Sequence, residues 1–139
     1  MENTPDVGGY VIAWLVSVAC FSAAVAIGGL IDGGDVVTAI DVLVIYGEII
    51  LMFSLPFACV GIVLVHLLCR RIPAQSVHVA AAGLVGVMPA LAFATLGWDG
   101  GFVAWLSGIP VATAIGRWSV VPLVWRRRRA LSRPALAAS

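Results

Sequence analysis

The sequence predicts an all-α integral membrane protein, a four-transmembrane-helix bundle with sequential antiparallel spans. Three observations lead there. Of 139 residues, 62% are hydrophobic and 11% are charged, whereas soluble domains carry about 25% charged residues. Four apolar stretches, about 9–31, 42–69, 77–96 and 102–125, take up nearly the whole chain. Each reaches the roughly 20 residues a helix needs to cross ~30 Å of hydrocarbon. Basic and acidic residues also fall in alternate connections. Residues 1–139 therefore read as a single transmembrane domain ending in a tail at 126–139.

The first span, Gly9 to Ile31, follows a segment with two acids and no basic residue. A secretory leader needs a positively charged start, so this span is expected to be retained. Helices in lipid associate by close packing, and small residues four apart mark the contact faces. Cys20, Ala24 and Gly28 form such a stripe here.

The second span, Val42 to Cys69, is too long for the layer. Its 28 residues make about 42 Å of helix, so it is expected to tilt or to project at the outer interface. Counted back from Cys69, Glu48 falls at or just below that interface. The third span, Val77 to Leu96, carries the stripe Ala82, Gly86, Ala90 and Ala94; the fourth, Phe102 to Trp125, carries Gly108, Ala112 and Gly116. Gly86, Ala90, Gly108, Ala112 and Gly116 are the candidate helix-packing positions. Gly33–Gly34 and Gly100–Gly101 are expected to close two connections, because glycine reaches backbone angles that other residues avoid.

With four spans, one side holds Arg70, Arg71, Arg126, Arg127, Arg128, Arg129 and Arg133, and the other holds no basic residue. Positive residues beside span ends stay in the cytoplasm. Both termini are thus expected to be cytoplasmic in a multi-pass protein of a bacterial inner membrane. Tyr10, Trp14, Trp118 and Trp125 would sit at the inner interface. Arg70, Arg71 and Arg126 to Arg129 are candidates for anionic headgroups, at about 1 kcal/mol each. The patch is short and pinned to the membrane, so nucleic acid is not an expected partner.

Two charged residues fall inside spans. Glu48 is a functional candidate because an intramembrane carboxylate is expensive, and an interfacial, partly hydrated position is its plainer reading. Arg117 is expected to meet a lipid phosphate, a freed backbone carbonyl or another subunit. Pro56, Pro89 and Pro110 each remove a helical hydrogen bond, freeing the carbonyls of Met52, Val85 and Leu106. In lipid those carbonyls need partners from neighbouring helices or a wet cavity, so a pocket between the kinks is a candidate. His66, Cys69 and His78 gather at one turn, where hydrogen bonds to headgroups or turn carbonyls are expected rather than a metal.

No connection is long enough for a soluble catalytic domain, and no phosphate-binding, zinc-protease, esterase or dinucleotide motif occurs. Neither enzyme activity nor a cofactor is expected. The sequence favours an accessory or scaffold component acting through helix packing, with a membrane-protein partner or a homo-oligomer. The alternative is a small oligomeric ion- or proton-coupled transporter or channel using Glu48.

Overall fold

The computed structural model describes residues 5–127 and Arg129, with only the backbone at 101, 102 and 104. Arg128, Arg133 and the rest of the tail lie outside the described residues. Among those described, all regular structure is helical. The elements are α1 (Val7–Ile31), α2 (Val36–Cys69), α3 (Gln75–Val85), α4 (Met88–Thr95), α5 (Gly100–Trp105), a 3-10 turn (Leu106–Gly108) and α6 (Ile109–Ser119). The chain is helical again over 121–127. Three helical stretches are long and apolar enough to cross a membrane: α1, α2, and α3 continued by α4 over Gln75–Thr95.

Capping explains where these helices start and stop. Asp6 accepts from the Gly9 N–H at 2.9 Å and opens α1. Asp35 accepts from the Thr38 N–H at 2.9 Å and opens α2. That cap starts α2 six residues before Val42, because the polar Thr38 and Asp41 are taken into the helix rather than left in the connection. Each orphan N–H at a helix start needs such an acceptor.

Glycine in the left-handed region ends two of the helices. Gly33 has φ 91° and Gly97 has φ 76°. Beyond each, a backbone N–H reaches back five residues, Gly34 to Gly29 at 3.0 Å and Trp98 to Phe93 at 3.2 Å. The apolar contact that accompanies this type of cap is present after α4, where the Phe93 and Trp98 rings lie 5.1 Å apart. Gly100 opens α5 instead of closing the connection, so Gly97 takes the role expected of Gly100–Gly101.

The fourth apolar stretch is not one helix. Pro110 and Pro122 have no N–H to give the carbonyls of Leu106 and Trp118. Ile109 bonds the Leu106 carbonyl and Val120 bonds that of Trp118, each through its own N–H. These shorter bonds satisfy the freed carbonyls and divide the stretch into α5, the 3-10 turn, α6 and 121–127. No single piece has spanning length.

All main neighbours run antiparallel. On α1 and α2, Tyr10 meets His66, Trp14 meets Ser54, and Ser22 faces Gly47. On α1 and α6, Ser17 faces Gly116 and Phe21 faces Gly108. On α3 and α6, Gln75 meets Arg117 and Gly86 faces Pro110. With Gly61 of α2 against Val85 of α3, the contacts close a ring in the order α1, α2, α3, α6.

The short connection between α1 and α2 fixes their relative height. Ile31 and Val36 share one level, since only 32–35 lie between them. α1 has 25 residues and α2 has 34. The surplus of α2, about 13 Å, therefore lies at its Cys69 end, not at the acidic end where projection is expected from the sequence.

Candidate functional site

Arg117 sits between α6 and the start of α3, and only 2% of its surface is exposed. Its Nη2 donates to Gln75 Oε1 at 2.9 Å and lies 3.3 Å from His78 Nδ1. His78 is fully buried, and its Nε2 is 2.8 Å from the carbonyl oxygen of Ile72. A carbonyl only accepts, so Nε2 carries the proton. That leaves Nδ1 with a lone pair for Arg117. One tautomer thus satisfies both neighbours, the bond at one ring nitrogen setting the role of the other.

This geometry replaces the expected partners of Arg117. Its guanidinium is turned inward, because α3 enters the ring where Gln75 and His78 offer neutral acceptors. The guanidinium Nε and Nη1 are buried without hydrogen bonds among the described residues. Buried Cys69 lies beside the same group and interacts with it electrostatically. On the neighbouring helices, Tyr10 Oη is 3.3 Å from His66 Nδ1. Helices α1, α2, α3 and α6 thus all put polar side chains at one end of the ring. No three His, Cys, Asp or Glu side chains among the described residues form a metal-binding set.

Glu48 lies in a different setting. It is twelve residues from Val36, and Ala19, the middle of α1, is twelve residues from Ile31. Because those ends share a level, Glu48 stands opposite the centre of α1. Counting from Cys69 places it near one end of α2, and counting from the tight α1–α2 connection places it level with the middle of α1. Glu48 is exposed, and no described side chain pairs with it. It shares a stripe at helical spacing with Asp41, Ile45, Met52, Leu55 and Cys59, all of them exposed. Of the buried residues of α2, Ala39 and Gly61 lie on the other side of the helix, and Val65 and Cys69 lie toward its flank.

The candidate packing glycines act inside the ring. A Cβ on Gly116 would overlap the Ala13 carbonyl and Ser17 of α1. One on Gly86 would overlap the Thr113 hydroxyl and lie 2.9 Å from the Pro110 Cα. At Gly108 the nearest atom would be the Phe21 ring at 3.2 Å. Ala112 is buried and Ala90 half-buried. The Cys20–Ala24–Gly28 stripe behaves differently: Ala24 is exposed and Gly28 faces open space. α1 packs instead through Ala13, Ser17 and Phe21.

The three candidate kink prolines lie within about one turn of a common level, since Gly61 meets Val85 and Gly86 meets Pro110, but they differ in burial. Pro56 is exposed and leaves α2 unbroken, Pro89 is buried at the start of α4, and Pro110 is half-buried against Gly86. Since the Leu106 carbonyl is bonded locally, Pro110 creates no demand for a wet cavity. Arg70, Arg71, Arg126, Arg127 and Arg129 are exposed. Arg126 and Arg129 border a cleft with Val121, Pro122 and Trp125.

Several contributors are not apparent from spacing. Gln75 is a neutral residue in a turn, and Thr113 places its hydroxyl 3.1 Å from the Ala82 carbonyl across the α3–α6 joint. Trp14 donates to Ser54 Oγ at 3.0 Å, so its N–H is satisfied within the ring rather than at an interface. The one available signal was Arg117 itself, since an arginine in an apolar stretch requires acceptors at matching height. Compared with known proteins, the chain matches no family model, no curated sequence and no solved structure.

Proposed function

We propose that the chain is a four-span membrane protein with both termini in the cytoplasm, acting as an accessory or scaffold component through its helix surfaces. The observation that carries this reading is the division of labour between helix faces. Glycine joints and the Arg117 bonds occupy the interior of the ring, while the long outward face of α2 has no partner among the described residues. The segment from α5 to 127 runs antiparallel to α1 and α3, which supports its reading as a fourth, broken span. Exposed Arg70, Arg71, Arg126, Arg127 and Arg129 fit anionic headgroups at the cytoplasmic surface.

Purification in mild detergent, with identification of co-purifying proteins and lipids, tests the reading. A defined membrane-protein partner is expected. Gly86→Leu and Gly108→Leu, which disturb the interior of the ring, should lower abundance, and wild-type abundance of both would show that the glycine joints do not hold the ring together.

Transport is the second reading, and the height of Glu48 favours it. A carboxylate level with the centre of α1 is placed to bind a proton or cation near mid-membrane. It predicts pH-dependent flux in proteoliposomes that Glu48→Gln abolishes. Flux that survives the change would eliminate this reading.

A further inference from the structure

We infer that the α2 stripe through Ile45, Glu48, Met52 and Leu55 docks a transmembrane helix of another protein, one that presents a lysine or arginine opposite Glu48. The inference rests on the scaffold reading and names the chemistry of the partner.

The stripe is open: Ile45 is 56% exposed, Met52 75% and Leu55 49%. It lies across α2 from Ser54, which bonds Trp14 of α1, and from Gly61, which meets Val85 of α3, so no rearrangement of the ring is needed to reach it. Around Glu48 the surface is apolar, as expected of a helix-facing membrane surface, but the carboxylate itself has no donor among the described residues. On the four-span reading this level of α2 lies within the hydrocarbon layer, where ionisable groups are found paired.

A second copy does not supply the missing charge. Arg117 is the only arginine within the apolar stretches, and the chain has no lysine. Its guanidinium is turned into the ring by Gln75 and His78. Arg70, Arg71, Arg126, Arg127 and Arg129 lie beyond the far end of α2 or at the end of the α6 segment. Glu48 is about 31 Å of helix from Cys69, so those side chains do not reach its level. In a parallel two-fold dimer the stripe would place one Glu48 beside another, two groups of like charge. With the described basic residues out of reach, a cation from a different sequence is the complement, and apolar side chains flanking it would cover Ile45, Met52 and Leu55.

Photo-crosslinking in native membranes tests this. A photoreactive residue at Met52 is expected to give an adduct with a single membrane protein. The crosslinked peptide should lie in an apolar segment containing Lys or Arg. Glu48→Gln, which keeps the shape and removes the charge, should abolish the adduct while chain abundance is unchanged. Exchanging the charges, with Glu48→Lys and the partner's basic residue changed to Glu, should restore it.

Adducts of twice the chain mass would overturn the proposal in favour of self-association. An adduct with no basic residue in the crosslinked segment, or one indifferent to Glu48→Gln, would also overturn it. So would lipid adducts alone from probes at both Ile45 and Met52. A probe at Leu91, exposed on α4, separates the two levels of the argument. A partner captured there and not at Met52 refutes this surface and leaves the scaffold reading standing.

Discussion

Arg117 Nη2 is bonded to Gln75 Oε1 at 2.9 Å, tying the end of α6 to the first turn of α3 across 42 residues of sequence. The same nitrogen faces His78, so a single cation holds two neutral acceptors on one helix. A buried charge bound only to neutral groups depends on each of them.

Removing an acceptor should therefore cost more than removing the charge. Gln75→Leu is expected to destabilise the protein by about 3 kcal/mol, the scale for stranding one side of a buried ionic group. Arg117→Met, similar in length and without charge, should cost less. Unfolding of both variants in detergent or bicelles measures the difference. The reverse order would mean that Gln75 contributes little.

Gly116 and Gly28 predict opposite outcomes for the same change. Gly116→Ala should destabilise by about 1–3 kcal/mol through overpacking against Ala13 and Ser17. Gly28→Ala, with nothing within 4 Å of the new carbon, should stay within about 0.5 kcal/mol of the original. Thermal unfolding of the pair in one detergent is the direct comparison.

Trp14 and Ser54 form a hydrogen bond whose two halves are unequal. Ser54→Ala strands the indole N–H between α1 and α2, at a cost of about 1–3 kcal/mol. Trp14→Phe removes the donor together with the demand for an acceptor. A double-mutant cycle should show Ser54→Ala costing much less in the Trp14→Phe background. Equal costs in both backgrounds would show that the bond contributes nothing.

Asp35 gives a pH-dependent cap. Hydrogen bonds from the Thr38 N–H and hydroxyl hold its carboxyl below the usual carboxylate range. A depressed folded pKa means that the stabilisation is complete above the ordinary carboxylate value. It is lost as pH falls through the lower, folded value. The protection of the Thr38 amide, the intrinsic exchange rate relative to the observed rate at each pH, should fall across that acidic window and should be low at all pH values in Asp35→Ala.

The sequence makes the apolar helices legible because length and hydropathy alone define them. It misplaces the start of α2, since Asp41 resembles a boundary while the true cap at Asp35 depends on a bond to Thr38. The level of Glu48 along the ring is set by the tightness of the α1–α2 connection, which a count from Cys69 does not see. The fourth stretch reads as one helix by composition, yet Pro110 and Pro122 set local hydrogen-bond patterns that composition does not record. The Arg117 site was half visible. The cation stood out, whereas its acceptors are a turn residue and a histidine tautomer fixed by the Ile72 carbonyl.

The four-residue link at 32–35 also bears on biogenesis. With so little slack, α1 and α2 of the membrane protein proposed above would not choose their orientations separately during insertion; they would enter the bilayer as one hairpin. Its acidic tip would be carried across first, and the long trailing arm of α2 would deliver Arg70 and Arg71 to the near side. The handedness of the whole topology would then be decided before α3 leaves the ribosome.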